Sequence, residues 1–262
     1  MPHNKEKPKE KPKEKLKGTA LVTGGAVRLG KVFALSLAEA GYNLAIHYNS
    51  SSDEAKATAL EAKKSGVECE IFQFDFSQGN EVCELISTVR SRFSDLNVLI
   101  NSASAYDQAT MMETPEAVLE KQFKINFQTP YFLTKAFAQQ CKTGNVINII
   151  DNKIAFNQYH YSAYLLSKKA LADFTKLAAV ELAPDVRVNG LAPGVVLPAN
   201  VRTQDYVDWR VQGIPVKRQG EANNINQALH YILTNDFVCG QILTVDGGES
   251  LTNIGQNAAS YE

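Results

Sequence analysis

Seven short apolar runs, at residues 19–23, 43–48, 68–74, 97–100, 145–150, 186–191 and 241–245, recur along the chain with longer amphipathic segments between them. Such runs are short for helices, and their nearly continuous apolar character suits strands buried on both faces. The segments between them, 28–40, 53–64, 79–93, 115–140, 159–183 and 222–234, carry apolar residues at helical spacing and are predicted as helices. Alternation of this kind implies a parallel sheet with helices on both sides. The expected fold class is therefore α/β, a single doubly wound domain with a seven-stranded parallel sheet spanning residues 18–251. Ligands of such sheets bind at the carboxyl ends of the strands, where strand order reverses. The stretch 195–219 has no clear period and suits a loop or short-helix flap over a pocket, or a surface excursion without a role.

A length of 262 residues fits one large domain, and a net charge of −1 provides no general attraction for nucleic acid or acidic lipid. The strongest local basic feature is the Lys/Glu/Pro-rich segment 1–17, which has too few apolar side chains to offset the entropy of ordering and is expected to be a disordered tail. Residues 252–262 read as a polar carboxyl tail. The four cysteines are scattered without metal-ligand spacing, and no apolar stretch approaches the ~20 residues of a membrane-spanning helix. These features predict a soluble cytoplasmic protein with no metal, no membrane association and no nucleic-acid partner.

The first run leads into Thr23-Gly24-Gly25-Ala26-Val27-Arg28-Leu29-Gly30, between a predicted strand and a predicted helix. In that position Gly24, Arg28, Leu29 and Gly30 suit either a plain structural turn or a cradle for a dinucleotide pyrophosphate at a helix start. The second strand ends in His47-Tyr48-Asn49-Ser50, with no acid before Asp53. An acid there would bind ribose hydroxyls, whereas amide and hydroxyl donors tolerate a 2′-phosphate, so the pattern favours NADPH over NADH. Asp75 and Phe76 end the third strand and suit either adenine recognition or a helix cap. Asn101, Ala103 and Ser104 end the fourth, where small residues leave room for a nicotinamide ribose or make a tight turn.

Tyr164 and Lys168 are four residues apart, on one face of a predicted helix about a turn apart. Lys168 is expected to contact a nicotinamide ribose and to lower the pKa of Tyr164 toward values useful for proton donation. The run Asp151-Asn152-Lys153 lies shortly before them at the end of the fifth strand.

Taken in order, the glycine turn, Asn101-Ser102-Ala103, Asn126, Tyr164, Lys168, Pro193-Gly194 and Asp246-Gly247-Gly248 give the chain a resemblance to the short-chain dehydrogenase/reductase family over nearly all of residues 18–251. The resemblance implies a Rossmann fold, a nicotinamide cofactor held in part by Pro193 and Gly194, Tyr164 as general acid, Lys168 as its electrostatic partner, and Asn126 holding a water in a proton relay. It also implies a homotetramer built on the helices predicted at 115–140 and 159–183. The family's usual catalytic serine stands 13 positions before the tyrosine, and 164 − 13 = 151 places Asp151 there. Aspartate at this position is similar to the pteridine reductase branch, as are Arg28 in the glycine turn, the His47–Ser50 segment and the aromatic Tyr106. That branch reduces biopterin, dihydromonapterin and dihydrofolate, stacking the pterin between nicotinamide and an aromatic ring. Here Tyr106 would take that place, or serve as a core or interface aromatic, with Arg28, Ser104, Asp151 and Tyr164 as substrate contacts. The segment departs from the branch in carrying Ser102 where a second asparagine is more usual.

The physical logic of Asp151 agrees with this branch, because a carboxylate accepting from Tyr164 disfavours the phenolate and pairs better with a protonated ring nitrogen than with a ketone. The expected function is NADPH-dependent reduction of a pterin or folate. The alternatives are a generic carbonyl or 3-oxoacyl reductase, a non-enzymatic NADPH-binding regulator, and, on the basic tail alone, a polyanion-binding module.

Overall fold

The structure, a computed structural model, describes residues 17–77, 82–197 and 203–252. The tails expected at 1–17 and 252–262 therefore lie, apart from Lys17 and Thr252, outside the described residues. So do residues 79–81 of the third predicted helix and 198–202 of the predicted flap.

Seven strands form one sheet: β1 (Thr19–Val22), β2 (Asn43–Tyr48), β3 (Cys69–Gln73), β4 (Leu96–Asn101), β5 (Gly144–Ile149), β6 (Val186–Pro193) and β7 (Ile242–Val245). Every neighbouring pair is parallel, in the order β3-β2-β1-β4-β5-β6-β7. The order reverses between β1 and β4, which opens a cleft at their carboxyl ends.

Side chains alternate across the sheet with a period of two. Ala20, Val22, Leu44, Ile46, Val98, Ile100, Ile147 and Ile149 face one core, which also receives Phe33 and Leu37 of α1 (Arg28–Glu39) and Ile225 and Leu229 of α8 (Ala222–Thr234). The intervening Leu21, Ala45, Leu99 and Val146 face a second core with Leu85 and Val89 of α3 (Val82–Arg92), Phe137 of α5 (Thr129–Cys141) and Ala178 of α6 (Ser162–Leu182). Because both faces are buried at the centre of the sheet, the central strands read as nearly continuous apolar runs, whereas the edge strand β3 carries Glu70 and the exposed Gln73. The remaining helices are α2 (Ser52–Lys63), α4 (Glu116–Phe123) and α7 (Gln204–Gly213).

Two predicted helices differ in detail. The segment expected at 115–140 is α4 and α5 joined by a π-helical turn, Lys124–Gln128. Pro130 has no N–H to offer the carbonyl of Asn126 in an α-turn, so the ladder has a local reason to widen here. The helix expected from 159 starts only at Ser162, because Tyr161 is held in a non-helical conformation by a bridge to Ala109. The region 195–219 contains a short helix, α7, as one of its two expected forms.

His47, expected as a cofactor contact, is instead part of the frame. Its Nδ1 accepts from the Gly24 N–H at 3.1 Å, which leaves Nε2 to carry the proton it shares with the Phe74 carbonyl at 3.0 Å. The ring is buried and stacks on Phe76 at 4.1 Å. Both nitrogens are thus committed to bracing the glycine turn against β2 and β3. Burial lowers the His47 pKa to about 4, opposed only by the Phe74 hydrogen bond. With a reference value near 6.5 in the unfolded chain, the unfolded state binds more protons between those limits. Stability should therefore fall as pH is lowered through that window, by up to ~1.4 kcal/mol per pH unit from this residue. Thermal unfolding followed from neutral pH to pH ~4 should show a shallower slope in a His47→Gln variant. Parallel slopes would mean that His47 does not contribute to the acid sensitivity.

Candidate active site

At the carboxyl ends of β1, β4, β5 and β6 lies a cavity of about 510 Å³, lined at one end by the glycine turn and at the other by Tyr106, Asp151, Lys153, Tyr164, Tyr206 and Arg210. The turn is tightly closed. Gly24 has φ +62°, and a Cβ on it would lie 3.0 Å from the Ala103 Cα; a Cβ on Gly30 would lie 2.0 Å from the Gly24 carbonyl oxygen. The Thr23 hydroxyl accepts from the Ser102 and Ala103 N–H groups at 2.9 and 3.0 Å, tying the turn to the end of β4. No acid occupies the first turn of α1. Its free N–H groups therefore keep their partial positive charge.

Asp151 follows β5 and caps the short helical turn Asn152–Ala155, with Oδ1 accepting from the Lys153 N–H at 2.9 Å. Its other oxygen accepts the Tyr164 hydroxyl proton at 2.7 Å. Tyr164 and Lys168 lie on the buried face of α6, as their spacing requires. The Lys168 ammonium donates to the Ile149 carbonyl at 2.8 Å and lies 5.9 Å from the Tyr164 ring centroid.

Two opposing influences were expected on Tyr164, a lowering by Lys168 and a disfavoured phenolate beside Asp151, and the structure gives the second and not the first. Burial, then the charge of Asp151 and its hydrogen bond, hold Tyr164 well above the ordinary phenol value. The carboxylate is in direct contact with the hydroxyl, whereas the ammonium is turned toward a backbone carbonyl. Burial also pushes Lys168 down to about 8, with Asp151 opposing. Tyr164 is thereby kept protonated.

The cavity brings together Gly24, Arg28, Leu29, Gly30, Ala103, Ser104, Tyr106, Asp151, Tyr164, Lys168, Pro193 and Gly194 from the expected set. Arg28 has φ +50°, and its guanidinium donates to the Leu197 carbonyl at 2.8 Å across the cleft. Tyr106 stacks on Tyr161 at 4.8 Å and meets Tyr164 edge-on at 4.7 Å, so one ring face is already taken. Asn49 and Ser50 are exposed at the end of β2 beside the half-buried Tyr48, outside the cavity lining. Asp75 accepts from the backbone and hydroxyl of Ser77 at 2.9 and 2.7 Å, the turn-capping alternative, while buried Phe76 packs under His47.

Two asparagines expected at the site have structural side-chain roles. Asn101 is buried and donates to Asn148 at 2.8 Å within the sheet. Asn126 accepts from the Ser104 hydroxyl and the Ala105 N–H at 3.0 and 2.8 Å and donates to the Ala105 carbonyl, Gln122 and Ser167. This amide locks the β4 loop to α6, so a water relay would have to use a group other than the Asn126 side chain.

Sequence reasoning missed Lys153, Tyr206 and Arg210 as lining residues. Arg210 of α7 is ion-paired with buried Glu249, which also accepts from Asn152 at 2.8 Å. No local pattern links positions 39 residues apart. Lys153 carried a weak signal, a cation two residues beyond Asp151. Among the described residues no cluster of three potential metal ligands occurs, and no helix is long and apolar enough to cross a membrane.

Residues 18–207 match the family model described as short chain dehydrogenase. A 3-oxoacyl-[acyl-carrier-protein] reductase of Staphylococcus epidermidis is 33% identical over 239 residues, covering 88% of this chain and 98% of that protein. The crystal structure of FolM alternative dihydrofolate reductase 1 from Brucella suis in complex with NADP has a TM-score of 0.85 at 31% identity, over 90% of this chain and 96% of that one. Acetoin dehydrogenase YohF from Salmonella typhimurium has a TM-score of 0.82 at 28% identity, over 90% and 97% of the two chains.

Replacing Tyr164 by Phe keeps the ring and removes only the hydroxyl that donates to Asp151. Turnover should fall at least ~100-fold with cofactor affinity nearly unchanged, as read by single-turnover rates and fluorescence titration. Wild-type turnover in the variant would remove Tyr164 from the chemistry.

Proposed function

Since the chain belongs to the short-chain dehydrogenase/reductase family, we propose that it is an NADPH-dependent pteridine reductase acting on a dihydropterin or dihydrofolate. The observation that carries this reading is the 2.7 Å hydrogen bond from Tyr164 to Asp151, an acid in the position where the family usually has serine. A serine hydroxyl can donate to the oxygen of a ketone or thioester substrate. An ionised carboxylate cannot donate, and it repels a developing oxyanion. It suits instead a substrate that presents N–H groups.

The cofactor end fits a phosphate-bearing dinucleotide. Its turn leaves no space for a Cβ at Gly30, α1 begins without an acid, and the exposed Ser50 offers a hydroxyl donor for a 2′-phosphate at the end of β2, where the Asn49 amide donates to Asp75 at 3.5 Å. Bound NADPH would supply a hydride to a carbon of the substrate's C=N bond. Tyr164 would protonate the nitrogen and later regain a proton from solvent, so that C=N becomes CH–NH. Asp151 would hold both the Tyr164 hydroxyl and a substrate N–H, and Lys168 would bind the nicotinamide ribose. The Brucella suis structure, which carries NADP, supports the choice of cofactor.

The 3-oxoacyl reductase reading has its own support in the Staphylococcus epidermidis relative. Asp151 is the observation against it. Exposed apolar side chains on α5 and α6, including Tyr131, Phe132, Leu177 and Val180, support a homotetramer in which these helices meet copies of themselves.

Asp151→Ser should lower kcat/KM for dihydropterins by about 100-fold while creating or raising turnover of an acetoacetyl thioester, both followed by NADPH consumption. Undiminished pterin turnover would sink the assignment. Ser50→Asp introduces a repulsion of ~1–4 kcal/mol at contact distance from a 2′-phosphate. The NADPH-to-NADH ratio of kcat/KM should drop at least ~5-fold, and a constant ratio would locate the phosphate elsewhere.

A further inference from the structure

The proposed chemistry uses Asp151, Tyr164 and Lys168 and leaves one buried cation of the cavity without a task. Lys153 is only 6% exposed, yet none of the ion pairs among the described residues includes it. Its ammonium donates to the Tyr106 hydroxyl at 2.8 Å and lies 4.6 and 5.2 Å from the ring centroids of Tyr161 and Tyr106. An ammonium has three donors, and a buried donor without an acceptor is costly. Only one has an acceptor among the described residues, and Lys153 lines the cavity together with Asp151 and Tyr164. Burial lowers its pKa; the attraction of Asp151 opposes the shift and the charge of Arg210 adds to it, so an acceptor on a ligand would favour the charged form.

Lys153 and Asp151 leave the same short helical turn, in which the Lys153 backbone N–H bonds Asp151 Oδ1 at 2.9 Å, and the Lys153 ammonium is placed by the Tyr106 hydroxyl. The carboxylate and the ammonium thus line one cavity from one turn, an acceptor and a donor. The complementary ligand edge has an N–H donor next to an acceptor oxygen. A 2-amino-4-oxopteridine has that edge, while a 2,4-diaminopteridine puts an amino group where the oxygen would be.

Building on the pteridine reductase reading, we infer that Lys153 is a substrate-specificity residue that donates to the 4-oxo oxygen of the bound heterocycle and, paired with Asp151, selects 4-oxo over 4-amino pteridines. Loss of a hydrogen bond from a charged donor should cost about 10- to 100-fold in affinity.

The test is calorimetric binding of 2-amino-4-oxopteridine and 2,4-diaminopteridine to the full-length protein loaded with NADP⁺, together with dihydropterin kinetics. The wild type should prefer the 4-oxo ligand at least ~10-fold. Lys153→Met should bring the two affinities within ~3-fold and raise KM for dihydropterin ~10-fold or more, with kcat much less affected. Lys153→Arg should retain the preference. Should the Met variant fail to fold, Lys153→Gln is read in the same way. An absent wild-type preference, an unchanged ratio in the Met variant, or a loss in the Arg variant as complete as in Met overturns the inference. Failure of the wild type to oxidise NADPH with any dihydropterin overturns the pteridine reductase reading instead.

Discussion

Parallel pairing of β1 with β4 is the constraint from which the site follows. Each parallel connection must return over a face of the sheet, and on either side of β1 the returns go to opposite faces. At the reversal the loops after β1 and β4 part, and the glycine turn and the Ser102–Ser104 segment become the walls of a cleft. Thr23 holds those walls in register by accepting from two N–H groups of the β4 loop. His47 supports them from below, and it can do so only as the neutral tautomer that accepts from Gly24.

Within this frame the chemical end is an arrangement of charges made tolerable by hydrogen bonding. Lys153, Lys168 and Arg210 are all buried, and each has a different compensation. Arg210 has a full carboxylate in Glu249, Lys168 has a backbone carbonyl, and Lys153 has a phenol and two ring faces. Asp151 acts on both lysines and on Tyr164. Its effect on the tyrosine exceeds that of Lys168 because of direct contact: a hydrogen bond to the phenolic oxygen outweighs an ammonium oriented toward a carbonyl. Together with burial, the largest cause, this ordering keeps the phenol protonated, and between the two charged neighbours the carboxylate affects its acidity more than the lysine.

The π-turn at Lys124–Gln128 shows how a local sequence feature takes effect through tertiary contacts. Pro130 explains why an α-turn is weakened there, but not what the widened turn accomplishes. Its product is Asn126 placed at the junction of the β4 loop, α4 and α6, with its amide bonded to all three. The Asn126 side chain thereby positions the site's walls.

By itself the sequence determined the seven strands, their parallel arrangement and the site's principal acid, phenol and amine, because these depend on short-range periodicity and fixed spacings along the chain. Tyr164 and Lys168 share a helix face whatever surrounds them. The position of Asp151 at a strand end likewise follows from the apolar run before it. Only the tertiary structure decided where side-chain groups were already committed, as with His47, Asn101 and Asn126. It alone decided that Arg210 meets Glu249, that Lys153 reaches Tyr106, and that burial is the largest cause raising the Tyr164 pKa. Hydrogen-bond satisfaction and desolvation are sums over neighbours distant in sequence, so no window along the chain contains them.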